Sequence, residues 1–269
     1  LKGVSRRNLL VPLVVLILLA GGIYIVSLPD AETPVDNIPK AAVVDQFYQM
    51  DPARTFTDDA VAMLESSGFA VTTYRGEEIT VDLYRDLPAC GYDIIIFSTH
   101  AGTMYFQSDD GAAPRAGTYL FTGETYSNRR YIGEQLTGKI QNGWMSDDLP
   151  LVFAVNADFI HDDLRGDFDN TAIIMMGCSS YVSDDLAGAF ISRGASLYTG
   201  WSATLSLAHS DAATIYLLNN ILIERMKIND AASDTMAVIG RDPVYGARLK
   251  YLPASAENRS LYELINGHR

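Results

Sequence analysis

The chain has 269 residues, 48% of them apolar, which is enough for one large domain with a sizeable core. Its 20 Lys and Arg against 33 Asp and Glu leave a formal charge of −13. That excludes a nucleic-acid surface, because no basic patch is available to displace phosphate counterions. Cys90 and Cys178 are too few for a disulfide framework, although a single bridge between them stays open.

The first 28 residues read as a membrane segment. Lys2, Arg6 and Arg7 precede an uncharged apolar run, Leu9–Leu28, long enough to cross a hydrocarbon core of about 30 Å as a helix. Asp30, Glu32 and Asp36 follow it, so the positive-inside rule puts the short N-terminus in the cytoplasm and the remainder outside. The expectation is a single-pass signal-anchor over 1–28; a cleaved signal peptide is the competitor. Residues 29–39, "PDAETPVDNIP", carry three prolines and three acids and read as a linker.

From residue 40 to 269 the pattern is that of one α/β domain. "KAAVVDQF" is a strand ending near Asp45. "TFTDDAVAMLESSGF" is a helix with Thr57 as its expected N-cap and Gly68 as its stop. "AVTTYR" is a strand, "VDLYRDLPACG" a short helix or turn, and "YDIIIFSTHAG" a buried strand that stops at His100. "TYLFTGETY" and "LPLVFAV" read as strands around the helix "RRYIGEQLTGKI". "TAIIMM" is a further buried strand, "VSDDLAGAFISRGA" a helix ended by Gly194, and "SLYTGW" a strand. "HSDAATIYLLNNILIERMK" is a long amphipathic helix. Apolar strands alternating with helices predict a three-layer fold, a mainly parallel sheet with helices on both faces.

Parallel strands release their chains at one edge, and that edge carries function. His100 lies just past "DIIIF" and Cys178 just past "AIIMM". Neighbouring strands are about 4.8 Å apart, so an imidazole and a thiol can meet there. A thiol is mostly protonated at neutral pH and needs a base or a cation to become a nucleophile, which a histidine supplies. Read alone, either residue is as simply a core or strand-end residue. Gly102 and Gly177 permit close backbone approach, and the amides of Cys178 and of the Ala101–Gly102 turn are the expected donors to an oxyanion. Cys90, in "DLPACGYD", reads as structural.

"YDIIIFSTHAG", "NTAIIMMGCSS" and "GAFISRGASLYTGW" together resemble the caspase-like cysteine peptidases, the group of caspases, gingipains, separases and CHAT domains. The likeness spans roughly residues 40 to 225, with "GCSS" most like separase and "GAS-YTGW-A" most like gingipain and CHAT proteins. It implies a caspase-like fold, His100 as general base or orienting cation and Cys178 as nucleophile, with the Gly102 region and the Cys178 amide binding the oxyanion. It further implies that Trp201 and Ser202 line the pocket for the residue before the cut. Asp45, at the end of the first strand, would reach the same pocket and favour Lys or Arg; its plainer role is a loop cap. The chain departs from the family pattern in reading His-Ala-Gly for His-Gly, and in the 78 residues from His100 to Cys178, which must hold a strand–helix–strand insertion.

Other clusters carry weaker signals. Asp184 and Asp185 read as first-turn acids of a helix. His209 and Asp211 have metal-ligand chemistry but lack a third ligand nearby, so capping by Ser210 or Asp211 is the simpler reading. "FIHDDLRGDFDN", residues 159–170, has the carboxylate density of a Ca²⁺ loop without its ladder, and reads more simply as a solvated acidic turn. "NRS" at Asn258 fits a glycosylation acceptor. The expectation is therefore a membrane-anchored cysteine peptidase acting on peptide or protein substrates with no required cofactor. Its competitors are a non-catalytic caspase-like module that binds a peptide or partner, and a plain anchored α/β binding domain.

Overall fold

The structure, a computed structural model, describes residues 16–19, 22–25, 38–106 and 115–267. The chain divides into two units, Leu1–Asn37 and Ile38–Arg269. In the first, strands β1 (Leu16–Leu19) and β2 (Gly22–Ile25) pair antiparallel. This differs from the continuous helix expected over Leu9–Leu28; the β-branched Ile17, Ile23 and Ile25 and the glycine Gly22 favour strand over helix in these two segments. The rest of the expected span lies outside the described residues. Among the described residues no helix is long and apolar enough to cross a membrane.

The second unit begins β3 (Lys40–Asp45), α1 (Phe56–Ser66), β4 (Ala70–Arg75), α2 (Val81–Asp86), β5 (Ile94–Ser98). It continues β6 (Ala101–Phe106), β7 (Arg115–Thr125), α3 (Ile132–Leu136), β8 (Ile140–Gly143), β9 (Val152–Asn156), α4 (Ala157–Asp162). Then follow β10 (Ala172–Met175), α5 (Asp185–Ser192), β11 (Leu197–Trp201), α6 (Leu207–Leu218), α7 (Ile228–Val238), β12 (Leu249–Leu252) and α8 (Leu261–Ile265). The main sheet has the order β12-β11-β10-β5-β3-β4, parallel throughout except for β12 at one edge. Strand order reverses at β3, from which the chain first goes outward to β4 and then back past itself to β5. Such a switch point is where α/β sheets open a crevice at their carboxyl ends.

The central strands are apolar on both sides because both faces are covered. On one face Ala41, Val43, Ile94, Ile96 and Ile174 pack with Leu64 of α1, Leu217 of α6 and Ile265 of α8. On the other, Val44, Ile95, Phe97 and Met175 meet Tyr84 of α2, Phe159 of α4 and Phe190 of α5. Burying one such aliphatic or aromatic side chain contributes ~1.5–3 kcal/mol, which makes these strands the stable floor under the site.

Between His100 and Cys178 lies a second, wholly antiparallel sheet, β6-β7-β9-β8, rather than a simple strand–helix–strand insertion. Its strands β7 and β9 place Leu120 and Phe153 in the same core as α2, α4 and α5, so that face is covered by helices and sheet together. Strands β6 and β8 escape a periodicity reading because they are edge strands without a continuous apolar run. Helix α1 starts two residues earlier than expected, with Thr55 as N-cap; the Thr57 hydroxyl donates instead to Asp45. Gly68 and Gly194 end α1 and α5 as anticipated, both with positive φ, at 91° and 92°. The long helix expected from His209 is interrupted by a π-helical turn, Asn219–Ile223, where the buried Asn220 amide donates to Asp234.

Candidate functional site

Strands β5 and β10 are neighbours, with Phe97 opposite Met175 as the last paired residues. His100 and Cys178 each lie three residues further on, so the two strands deliver imidazole and thiol at the same level. The intervening segments touch: a Cβ on Gly177 would fall 2.8 Å from both the Thr99 carbonyl oxygen and the Ala101 Cβ. Only a residue without a side chain lets the cysteine segment lie against the histidine segment.

The serines after the cysteine fix its loop. Ser179 adopts φ 54°, and its amide donates to the Ala203 carbonyl at 2.9 Å. Buried Ser180 accepts from the Trp201 amide through its hydroxyl and from the Tyr198 hydroxyl through its carbonyl. The Gly-Cys-Ser-Ser turn is thus packed by its glycine against Thr99 and Ala101, just past β5, and tied by its serines to Trp201 and Ala203 at the end of β11.

Both site groups are neutral as they stand. Burial pushes the Cys178 thiol up, the Asp242 carboxylate adds to that push, and the thiol donates to the Leu205 carbonyl at 3.3 Å. Burial pulls His100 down to about 4. Its Nε2 sits 3.0 Å from the Met50 sulfur, its amide donates to the Gln46 side chain, and its ring packs on Phe47 with centroids 4.6 Å apart. Neither group hydrogen-bonds the other. The thiol is engaged with the Leu205 carbonyl and Nε2 with the Met50 sulfur.

His100 and Cys178 open on one cavity of about 180 Å³, whose remaining wall is mainly Phe47, Met50, Met176, Leu205 and Leu207. Asp45 is buried at the carboxyl end of β3 and does not line it. Its carboxylate accepts from Thr57 at 2.6 Å and from Ser98, and pairs with Arg54. Arg54, its side chain only 6% exposed, also grips Asp211 and stacks on Phe47 and Phe56. Asp45 therefore has an internal cation and is closer to the structural role considered for it than to a receptor for a basic side chain. Asp211 is taken up by the same network rather than by helix capping, and Ser210 donates to the Met176 carbonyl.

Of the remaining expected pocket residues, Trp201 shares a buried cluster with Leu205 against which Cys178 packs, whereas Ser202 and Gly102 line other cavities. Trp201 is buried against Leu205, Ala213 and Ala247, with its ring edge-on to His209. Ser202 exchanges hydrogen bonds with the Arg248 backbone and lines a different groove, of about 630 Å³, beside β12. Gly102 belongs to a strand instead of the expected turn, because the second sheet begins at Ala101; it pairs with Tyr119 and lines a separate cavity with Phe121 and Trp144. The Cys178 amide lies near its own sulfur, on which it acts as a weak lowering influence.

Elsewhere the acidic stretch 159–170 is partly helical, as α4, and three of its acids have cations: Asp162 and Asp163 pair with Lys139, and Asp167 with Arg193. Among the described residues no group of three or more His, Cys, Asp or Glu is arranged to hold a metal ion. Asp185 accepts from Thr118 and ties α5 to the second sheet. Both cysteines are free; Cys90 packs against the core, with burial raising its thiol. Asn258 is exposed.

The sequence reading missed Met50, Leu205, Leu207, Arg54 and Asp242, which lie in loops or at helix starts where no periodicity marks them. Asp242 is buried; burial pushes its carboxyl up, but hydrogen bonds from Ser206, Tyr245 and Val244 outweigh that and hold it at about 2. No family model matches the chain, and no curated protein matches it.

Proposed function

We propose that this chain is a cysteine peptidase of the caspase-like kind, with Cys178 as nucleophile and His100 as its base. The observation that carries the reading is the common level of the two residues on adjacent parallel strands, opening on one cavity. In this reading a substrate entering the cavity displaces Met50 from His100 Nε2. The imidazole takes the thiol proton, and Cys178 Sγ attacks the scissile carbonyl. The proton goes to the departing amine, and water attacking the thioester returns free enzyme. Burial leaves His100 unprotonated at neutral pH but a weak base, and it raises the thiol, so in this reading the bound substrate must change the surroundings of both groups before the proton moves.

The sequence supports attachment of this domain to a membrane through the run Leu9–Leu28, with the domain on the non-cytoplasmic side. The resemblance of the histidine and cysteine motifs favours a peptide or protein as substrate.

A peptidyl electrophile should alkylate Cys178 of the full chain at pH 7, and His100→Ala should slow that labelling by roughly 10²-fold or more, as loss of a general base does. Equal labelling of both proteins sinks the proposal. A second reading, a peptide-binding module without catalysis, is favoured by the contact of His100 with Met50 rather than with the thiol. It predicts peptide binding that survives Cys178→Ala, with no cleavage by the unmodified chain.

A further inference from the structure

We infer that the side chain this site accepts immediately before the scissile bond is uncharged and apolar, of leucine or methionine size; the inference rests on the peptidase reading. The cavity that holds both reacting groups is walled by Phe47, Met50, Met176, Leu205 and Leu207. Its volume is about 180 Å³. A void of about 150 Å³ with such a lining holds a benzene ring, so four to six carbon-sized atoms fit. Methionine walls adapt to irregular aliphatic shapes.

The charges that would recruit a polar residue are already spent. Asp45, the acid nearest in sequence to Phe47, is held by Thr57, Ser98 and Arg54. Arg54 is closed between Asp45 and Asp211 and covered by two phenylalanine rings. The Ser210 hydroxyl, also in the cavity wall, is committed to the Met176 carbonyl. Asp242, whose charge reaches the thiol, stands outside the cavity wall and is held by Ser206, Val244 and Tyr245, so a substrate ammonium or carboxylate entering the cavity would lose its water without meeting an opposite charge in the wall. This reverses the preference for Lys or Arg that an unpaired Asp45 would have given.

The test uses the full chain and a series of tetrapeptide chloromethyl ketones identical except for the last residue, with Leu, Met, Ala, Lys or Asp there. Alkylation of Cys178 is followed by mass spectrometry, with iodoacetamide and His100→Ala run in parallel. Leu and Met should react roughly 10-fold or more faster than Ala, since each methylene in an apolar pocket is worth about that factor, and Lys and Asp should be slowest. Met50 is 42% exposed, so Met50→Glu should fold, and it should raise Lys relative to Leu. A flat series, a preference for Lys or Asp, or a ranking unmoved by Met50→Glu overturns the specificity, while His100-dependent labelling leaves the peptidase reading standing. Labelling indifferent to His100 with every probe overturns both.

Discussion

His100 and Cys178 stand at one level on adjacent parallel strands, each three residues beyond the pair Phe97 and Met175, with Gly177 in contact with the residues on either side of the histidine. The strands bring the two groups close, and the glycine decides how closely their loops can approach. Within that frame the thiol donates to the Leu205 carbonyl and the imidazole Nε2 meets the Met50 sulfur.

Gly177→Ala tests that contact. The new methyl would overlap the Thr99 carbonyl and the Ala101 Cβ, and a backbone oxygen cannot turn aside as a flexible side chain can. Overpacking of this kind costs ~1–3 kcal/mol, so urea unfolding should move to lower midpoint with an unchanged slope. Cys178 labelling by a peptidyl electrophile should fall more than stability alone accounts for, because the two loops separate. A variant as stable and as reactive as the parent would refute the close approach.

Acid should destabilise the domain partly through His100. Its pKa is about 4 folded against about 6.5 unfolded, so between these values the unfolded chain binds more protons. Stability is therefore lost as pH falls from 6.5 towards 4, and His100→Gln should lose less over that window. Thermal midpoints of the two proteins, compared at pH 7, 5.5 and 4.5, decide it. Met50→Ala should raise the imidazole pKa by admitting water, visible as a shifted NMR titration of the ring proton.

Asp242 and Cys178 are electrostatically linked. The carboxylate is ionised down to about 2 and opposes a negative charge on the sulfur. Asp242→Asn should lower the thiol pKa, so iodoacetamide labelling of Cys178 should begin at lower pH than in the parent. The loop anchored by Ser206, Val244 and Tyr245 should weaken at the same time. An unchanged or higher labelling pKa would show that Asp242 does not act on the sulfur.

The Asp45–Arg54–Asp211 network should be the costliest of the polar clusters to break. Arg54→Ala leaves a carboxylate at Asp45 buried without its cation, and breaking a buried pair from one side costs ~3–5 kcal/mol. Asp45→Asn in the same chain should recover part of that loss. Urea melts of the two single variants and the double variant give the coupling; strictly additive losses would mean that the pair does not interact.

The apolar strands of the main sheet were legible because being buried on both faces writes an unbroken apolar run into the sequence. The stops at Gly68 and Gly194 were legible for a similar local reason, since a positive φ after a helix favours glycine. His100 and Cys178 stood out because a polar residue at the end of such a run breaks it. Asp45 was visible in the same way, but its role was not: whether a carboxylate is free depends on what lies near it, and Arg54 arrives from a loop nine residues on. Gly102 illustrates the converse, a residue whose neighbours suggest a turn but whose partner, Tyr119, makes it a strand.

By itself the sequence determined the alternation of elements that builds the mainly parallel sheet and the two strand ends at which chemistry is expected, because periodicity and burial are local signatures; the second, antiparallel sheet it did not. Only the tertiary structure decided that β5 and β10 are neighbours in matching register. It also decided that Arg54 neutralises Asp45, that Asp242 opposes the thiol's ionisation, and that the shared cavity is apolar. Those facts depend on which residues meet across long separations in the chain, and on the loss of water where they meet. The spacing of residues along the sequence carries neither.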